Sequence, residues 1–277
     1  MYESHLLVHK PESNIDKRRS LKEEMTTVEG LRKFNALAAI FHLFQGVILL
    51  LISSDFSLPV MSYFLEMDDV TNKLNPVPEV IFNVRLGPLI AGFLILTAVA
   101  HVAVSSPWVY QWYSSNLGKG VNYARWMEYS ISSSVMLVVI AMLIGIYDVA
   151  SLILLFALNA SMILFGWLME LQNQSGNHVN WTPFWFGTFA GIITWVAIGI
   201  YLFGAGNGDG GPPAFVYGIF GSIFIFFNVF AINMVLQYKK IGPWRNYLFG
   251  ERVYILLSLS SKSVLAWQVF AGTLRPV

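Results

Sequence analysis

Near the end of the chain the sequence reads Ser258-Leu-Ser-Ser-Lys262-Ser-Val-Leu-Ala-Trp267-Gln-Val-Phe, and Lys262 is the one charged residue within the apolar stretch 253–269. A lysine at mid-membrane depth costs about 2.5–3.5 kcal/mol on insertion scales, so it is read as functional. The opposite charge available to it is Glu128, the one carboxylate expected well inside a span. A buried lysine also gives up its proton readily and then attacks an aldehyde as an amine nucleophile. The pair points to a carbonyl cofactor held covalently in a membrane protein.

Composition agrees with a membrane chain. Of 277 residues, 56% are hydrophobic and only 12% charged, against about 25% charged in a soluble domain. The chain has no cysteine, which excludes disulfides, thiolate catalysis and cysteine-ligated clusters. A net charge of +1 argues against nucleic-acid binding. The first residues are charged and lack the apolar core of a signal peptide. Residues 1–33 are therefore expected to form a polar tail, and 34–277 the membrane domain.

A membrane helix needs about twenty mostly apolar residues. Seven such stretches predict an all-α bundle of seven transmembrane helices, over 34–53, 84–104, 122–146, 149–171, 183–203, 213–237 and 247–273. The short link at Tyr147-Asp148 makes the third and fourth antiparallel neighbours, and 204–213 is a Gly/Pro-rich turn. The connection 54–83 is long for a structureless loop and predicts an ordered element, such as a hairpin over the mouth of the bundle. No internal repeat or second domain is visible.

Lysine and arginine placement sets the orientation. Thirteen of the 17 basic residues fall in the tail and in the connections that share its side, including Lys119, Arg125, Lys239, Lys240, Arg245 and Arg252. The N-terminus is expected inside and the C-terminus outside, with the long loop facing outward. The plasma membrane is the expected bilayer.

Depth arithmetic supports the pairing of Lys262 with Glu128. At 1.5 Å per residue, Glu128 lies about 9 Å and Lys262 about 22 Å from the cytoplasmic ends of their helices. Two long side chains close most of the difference. The plain alternative is an ion pair that only locks spans three and seven together. Ser258 lies one turn before Lys262 on the same face, suited to hydrogen-bond the nitrogen. Trp267 is expected to wall a pocket, whereas Ser260, Ser261 and Ser263 are expected to satisfy backbone or helix contacts. In span three, Glu128 shares a face with Ser132, and Tyr129 with Ser133. Arg125 is expected to snorkel to the interface.

His42 and His101 lie in spans one and two at a depth similar to Glu128. Packing and proton handling are both open for them. A metal site is disfavoured, because close ligand spacing and a third nearby histidine are both lacking. Phe184, Trp185, Phe189, Trp195, Phe224, Phe226 and Phe227 offer walls for an elongated apolar pocket, although most are expected to pack or face lipid. Met162 offers an adaptable wall.

Together these motifs resemble the heliorhodopsins, the inverted branch of microbial retinal proteins, over essentially all seven spans. The segment Ser258-Leu-Ser-Ser-Lys262-Ser-Val-Leu-Ala-Trp267 is the most specific part, and Trp126-Met-Glu128-Tyr129-Ser the second. The inside N-terminus also matches that family. The resemblance implies that Lys262 carries all-trans retinal as a protonated Schiff base with Glu128 as counterion. It implies a cofactor pocket that includes Tyr129, Ser132, Met162, Phe227, Ser258 and Trp267. It also implies a cytoplasmic polar network through His42, Gln45 and His101, and deeper through Asn122, Glu170, Gln237 and Glu251.

The implied function is light sensing rather than enzymatic turnover, with internal proton transfer and a conformational signal. A homodimer and a cytoplasmic signalling partner are implied with it. A mid-span carboxylate is missing from the outer half, which argues against pumping. A light-gated proton channel or other light-driven ion transporter is the first alternative. A non-retinal transporter or receptor gated by the ion pair is the second.

Overall fold

The computed structural model describes residues 27–174, 178–204 and 211–275. Most of the expected tail, and residues 205–210 of the expected Gly/Pro-rich turn, lie outside the described residues. Seven of its helices are long and apolar enough to cross a membrane. They are α1 (Val28–Ile52), α2 (Leu86–Ser105), α4 (Tyr123–Leu143), α5 (Val149–Gln172), α6 (Thr182–Gly204), α7 (Ala214–Tyr238) and α8 (Tyr247–Val269). A shorter helix, α3 (Pro107–Gly118), lies between α2 and α4, and a 3-10 turn (Gly242–Arg245) precedes α8.

Local chemistry fixes the helix starts. Side-chain oxygens of Thr27, Asn122, Asp148 and Asn246 accept from backbone amides in the first turns of α1, α4, α5 and α8, which satisfies donors a helix leaves open. Thr27 explains one departure from expectation. The first helix begins at Val28 instead of 34, so the last residues assigned to the tail are helical and Leu31 is buried. Pro107, in the first turn of α3, was the available signal for that unforeseen helix. At the other end of the chain α8 stops at Val269 and passes into a π-helical turn, Phe270–Leu274.

The long connection is an antiparallel hairpin of β1 (Ser57–Asp68) and β2 (Lys73–Arg85). Its register runs from Ser57 opposite Arg85 to Asp68 opposite Lys73, with a bulge at Val60/Met61. At the tip, the Asp68 carboxylate accepts from the Val70 and Thr71 amides and the Thr71 hydroxyl. The base is pinned to the bundle where the Met61 amide donates to Tyr147 O at 2.8 Å.

The bundle has two unlike ends. Next to the hairpin is a continuous apolar core that includes Leu49, Leu86, Phe93, Leu137, Leu265 and Val269. Toward the opposite end, buried Asn35, His42, His101, Asn122, Arg125, Glu170 and Glu251 lie among two smaller apolar clusters that include Leu31, Leu117, Met169 and Met234.

The distance between α1 and α2 depends on Gly46, one turn from His42. A Cβ there would come within 2.9 Å of Ile95 and 3.3 Å of the Ala91 carbonyl. Gly46→Val is expected to destabilise the bundle by about 1–3 kcal/mol through overpacking. A lowered midpoint in detergent thermal unfolding checks this; an unchanged midpoint contradicts it.

Candidate functional site

Lys262 and Glu128 meet in the bundle interior. Lys262 Nζ lies 2.7 Å from Glu128 Oε1 and 3.0 Å from Ser258 Oγ. Both charged side chains are almost wholly buried. Thr97 of α2 brings its hydroxyl to 2.5 Å from the same carboxylate oxygen. The Tyr129 ring centroid lies 5.1 Å from Nζ, and the Tyr129 hydroxyl donates to Tyr254 O at 2.8 Å. Ser132 Oγ is buried beside this group. Removing either charge would strand the other in a medium where an unpaired ion is very costly.

Lys262 borders a mostly apolar cavity of about 140 Å³ formed by α4 to α8. Tyr129, Ser132, Met162, Phe227, Ser258 and Lys262 line it. Small residues let large ones cross its wall. A Cβ on Gly166 would come within 2.6 Å of the Trp126 ring, and one on Gly191 within 2.7 Å of Met162 Sδ. An apolar cleft with an amine at its edge fits an elongated apolar aldehyde. Phe184 also lines the cavity, while Trp185, Phe189 and Phe224 are exposed. Trp195 packs edge-on against Phe220, Phe224 and Phe227.

Trp267 does not wall the pocket. Five residues beyond Lys262, it is rotated about 140° around the helix. It is 39% exposed and donates to Gln45 Oε1 at 2.9 Å. Gln45 Oε1 is thereby engaged by Trp267, and its Nε2 donates to Phe41 O at 3.2 Å. Gln237 is buried, donates to Tyr247 O at 3.1 Å and packs against Gly250. Ser261 keeps its expected backbone contact with Ser258 O, at 3.3 Å, but also reaches the cavity.

His42 and His101 stack at 5.7 Å between centroids, 10° from parallel. His101 Nδ1 lies 2.7 Å from Asn35 Oδ1, and Asn35 Nδ2 donates to the Tyr113 hydroxyl at 3.4 Å. Both His42 nitrogens and His101 Nε2 are buried without a hydrogen-bond partner among the described residues. Among those residues no three His, Cys, Asp or Glu side chains group for a metal ion. A second cavity of about 40 Å³ lies among His101, Glu128, Arg125 and Glu251.

Arg125 does not snorkel. It is buried between Glu170, at 2.5 Å, and Glu251. Its guanidinium carbon also lies 4.3 Å from the Trp126 ring and 3.9 Å from that of Tyr254. Two carboxylates and two aromatic faces offer the cation more than the interface does. Asn122 joins them, its backbone amide on Glu170 at 2.9 Å and its side chain on Glu251 at 2.7 Å. Trp126 Nε1 and the Tyr247 hydroxyl complete Glu170, at 2.5 and 3.0 Å. The expected grouping of Asn122, Glu170 and Glu251 is therefore present, with Arg125 at its centre.

Sequence reasoning missed Thr97, Asn35, Tyr113 and Tyr254. Two carried a signal. Thr97 precedes His101 by one helical turn and Asn35 precedes His42 by two, so both share a histidine face.

A family model, Heliorhodopsin, matches residues 31–274. A search of curated proteins found no match. Among solved structures, the transmembrane domain and linker region of Salpingoeca rosetta rhodopsin phosphodiesterase is similar, with TM-score 0.59 and 11% identity, over 94% of this chain and 75% of that one. The transmembrane domain of the same protein gives TM-score 0.58 and 10% identity, over 94% and 90%. These structural likenesses speak to the fold alone. The family match spans most of the chain, and the chain belongs to the heliorhodopsin family.

Arg125→Met is expected to cost about 3–5 kcal/mol by leaving buried carboxylates unpaired. Adding Glu170→Gln and Glu251→Gln should recover part of that loss. Thermal unfolding of the single and triple variants checks this; equal stabilities would contradict it.

Proposed function

We propose that this member of the heliorhodopsin family is a light sensor in which Lys262 holds all-trans retinal and Glu128 supplies the counter-charge. The observation that carries the reading is the 2.7 Å contact between Nζ and Glu128 Oε1 at the edge of an apolar cavity. When bound, retinal supplies an aldehyde carbon for attachment to Nζ and a conjugated chain that absorbs visible light and changes shape.

This chain's residues do the rest. Tyr129, Met162, Phe184 and Phe227 grip an elongated apolar molecule and exclude water. Ser258 orients Nζ, and Thr97 orients the Glu128 carboxylate. Glu128 balances a positive charge on Nζ in a medium of low polarity. Once light drives Nζ and Glu128 apart, the Nζ proton needs an acceptor. His42 Nδ1, His42 Nε2 and His101 Nε2 suit that role, being buried and unpartnered among the described residues.

The apolar core toward the hairpin offers no comparable acceptor in Leu49, Phe93, Leu137, Leu265 and Val269. That asymmetry supports a proton that leaves and returns on one side, and hence sensing without pumping. With the N-terminus inside, the polar end faces the cytoplasm, where the changed contacts would reach a signalling partner. Exposed Tyr63, Phe64 and Leu65 on the hairpin suit a homodimer contact. The plasma membrane is the bilayer we infer for it.

Purified protein incubated with all-trans retinal is expected to gain a visible absorption band, and Lys262→Ala to lose it. Glu128→Gln is expected to move the band to longer wavelength, since the positive charge is no longer held at the nitrogen. If Glu128→Gln leaves both the colour and its pH dependence unchanged, the counter-charge assignment is wrong. Under voltage clamp, illumination is expected to give no steady current. A sustained, voltage-dependent photocurrent would replace this reading with light-gated conduction.

A further inference from the structure

Helix α3 has a buried face and an open one. Tyr113 and Leu117 pack into the bundle, while Trp108, Gln111, Trp112, Ser115 and Lys119 are exposed, Trp108 by 91%. Their spacing puts the open positions on one stripe of a helix. Both ends of α3 are tethered to spans: Ser105 closes α2 before it, and Tyr123 opens α4 after it. At 1.5 Å per residue the helix is about 18 Å long, and it is confined to the level where those spans end.

Contacts hold α3 against α1 at that level. The Tyr110 hydroxyl donates to Glu29 at 3.2 Å, and the Arg32 guanidinium carbon sits 4.4 Å from the Tyr110 ring centroid. On the open side, the Trp112 ring lies 6.0 Å from that of Tyr123, which meets Trp167 of α5 edge-on at 5.4 Å. An aromatic band thus runs from α3 onto the sides of α4 and α5. Tryptophan and tyrosine in that position favour the headgroup layer of a bilayer.

Charge selects the headgroup. This end of the bundle exposes Lys119, Lys239, Lys240 and Arg245. Its carboxylates are already engaged, Glu29 with Arg32 and both Glu170 and Glu251 with Arg125. Among the described residues, the exposed unpaired charges at this end are positive, with Lys119 at the C-terminus of α3, and they attract anionic lipid.

We propose that α3 is a membrane-surface helix that seats Trp108 and Trp112 among anionic phospholipid headgroups beside Lys119, and that the Tyr113–Asn35 contact relays this seating to His101. The first half stands without the light-sensing reading; the relay rests on it. The relay has a short path, because Tyr113 shares α3 with the tryptophans and Asn35 bonds both Tyr113 and His101. Coupling of this kind is reciprocal: lipid that favours one arrangement of His101 must itself bind better to that arrangement.

The chain has no cysteine, so Gln111→Cys gives a unique site for a spin label on the open face, and Ser115→Cys a second. Each full-length variant is placed in nanodiscs of phosphatidylcholine, with or without phosphatidylglycerol, and the label's collisions with oxygen and with a water-soluble nickel chelate are compared. Oxygen is expected to dominate in the anionic discs. Lys119→Gln is expected to lower the ratio of immersed to water-exposed label about fivefold, the effect of one basic residue at an anionic surface. Labels that collide chiefly with the nickel chelate in both discs would overturn the docking and leave the face open to a water-borne partner. For the relay, recovery of the visible band after a flash is timed in the same discs. The wild-type rate is expected to differ about twofold or more between lipid compositions, and Tyr113→Phe to abolish the difference. A difference that survives Tyr113→Phe would overturn the relay. Protein that stays colourless with retinal would instead refute the light-sensing reading, while the spin labels still decide the docking.

Discussion

A lysine and a glutamate that must face each other inside a bilayer constrain everything else in this bundle. Neither charge can remain alone at that depth, and their 2.7 Å contact links α8 to α4 across the bundle interior. Ser258 and Thr97 then have defined tasks, one on the nitrogen and one on the carboxylate. The cavity exists because aromatic and sulfur-bearing side chains surround the pair on one side, with Gly166 and Gly191 giving Trp126 and Met162 room to lie across it.

The second organising feature is asymmetry along the bundle axis. Toward the hairpin the interior is aliphatic and aromatic; toward α3 it holds a histidine stack and a guanidinium between two carboxylates. The two polar groups lie on either side of a 40 Å³ cavity that also touches Glu128. Among the described residues, a charge displaced at Lys262 meets buried histidines and carboxylates toward α3 and an apolar core toward the hairpin. The reading of light detection without transport follows from that inequality rather than from the fold, which also serves other rhodopsins.

Hydropathy made the seven spans legible because a membrane core demands long apolar runs with few charges. Lys262, Glu128, His42 and His101 were legible for the complementary reason: each breaks such a run. What failed was azimuth and partnership. Trp267 lies in the most specific motif yet points about 140° from Lys262. Arg125 looked interfacial because Glu170 and Glu251, on α5 and α8, are distant in sequence; only tertiary packing brings them together. Helix α3 carries little signal because its twelve residues are too short for a span and too polar to stand out, though Pro107 marks its start. Thr97 and Asn35 show the signal that was present but unused, a polar residue recurring on the face of an intramembrane histidine.

Attachment of retinal to Lys262 Nζ is tested most directly by borohydride reduction of the pigment, followed by peptide mapping with mass spectrometry, without reference to colour or kinetics. A retinyl adduct is expected on the peptide that contains Lys262 and on no other lysine. An adduct on a different lysine, or a coloured protein that yields none, would contradict it.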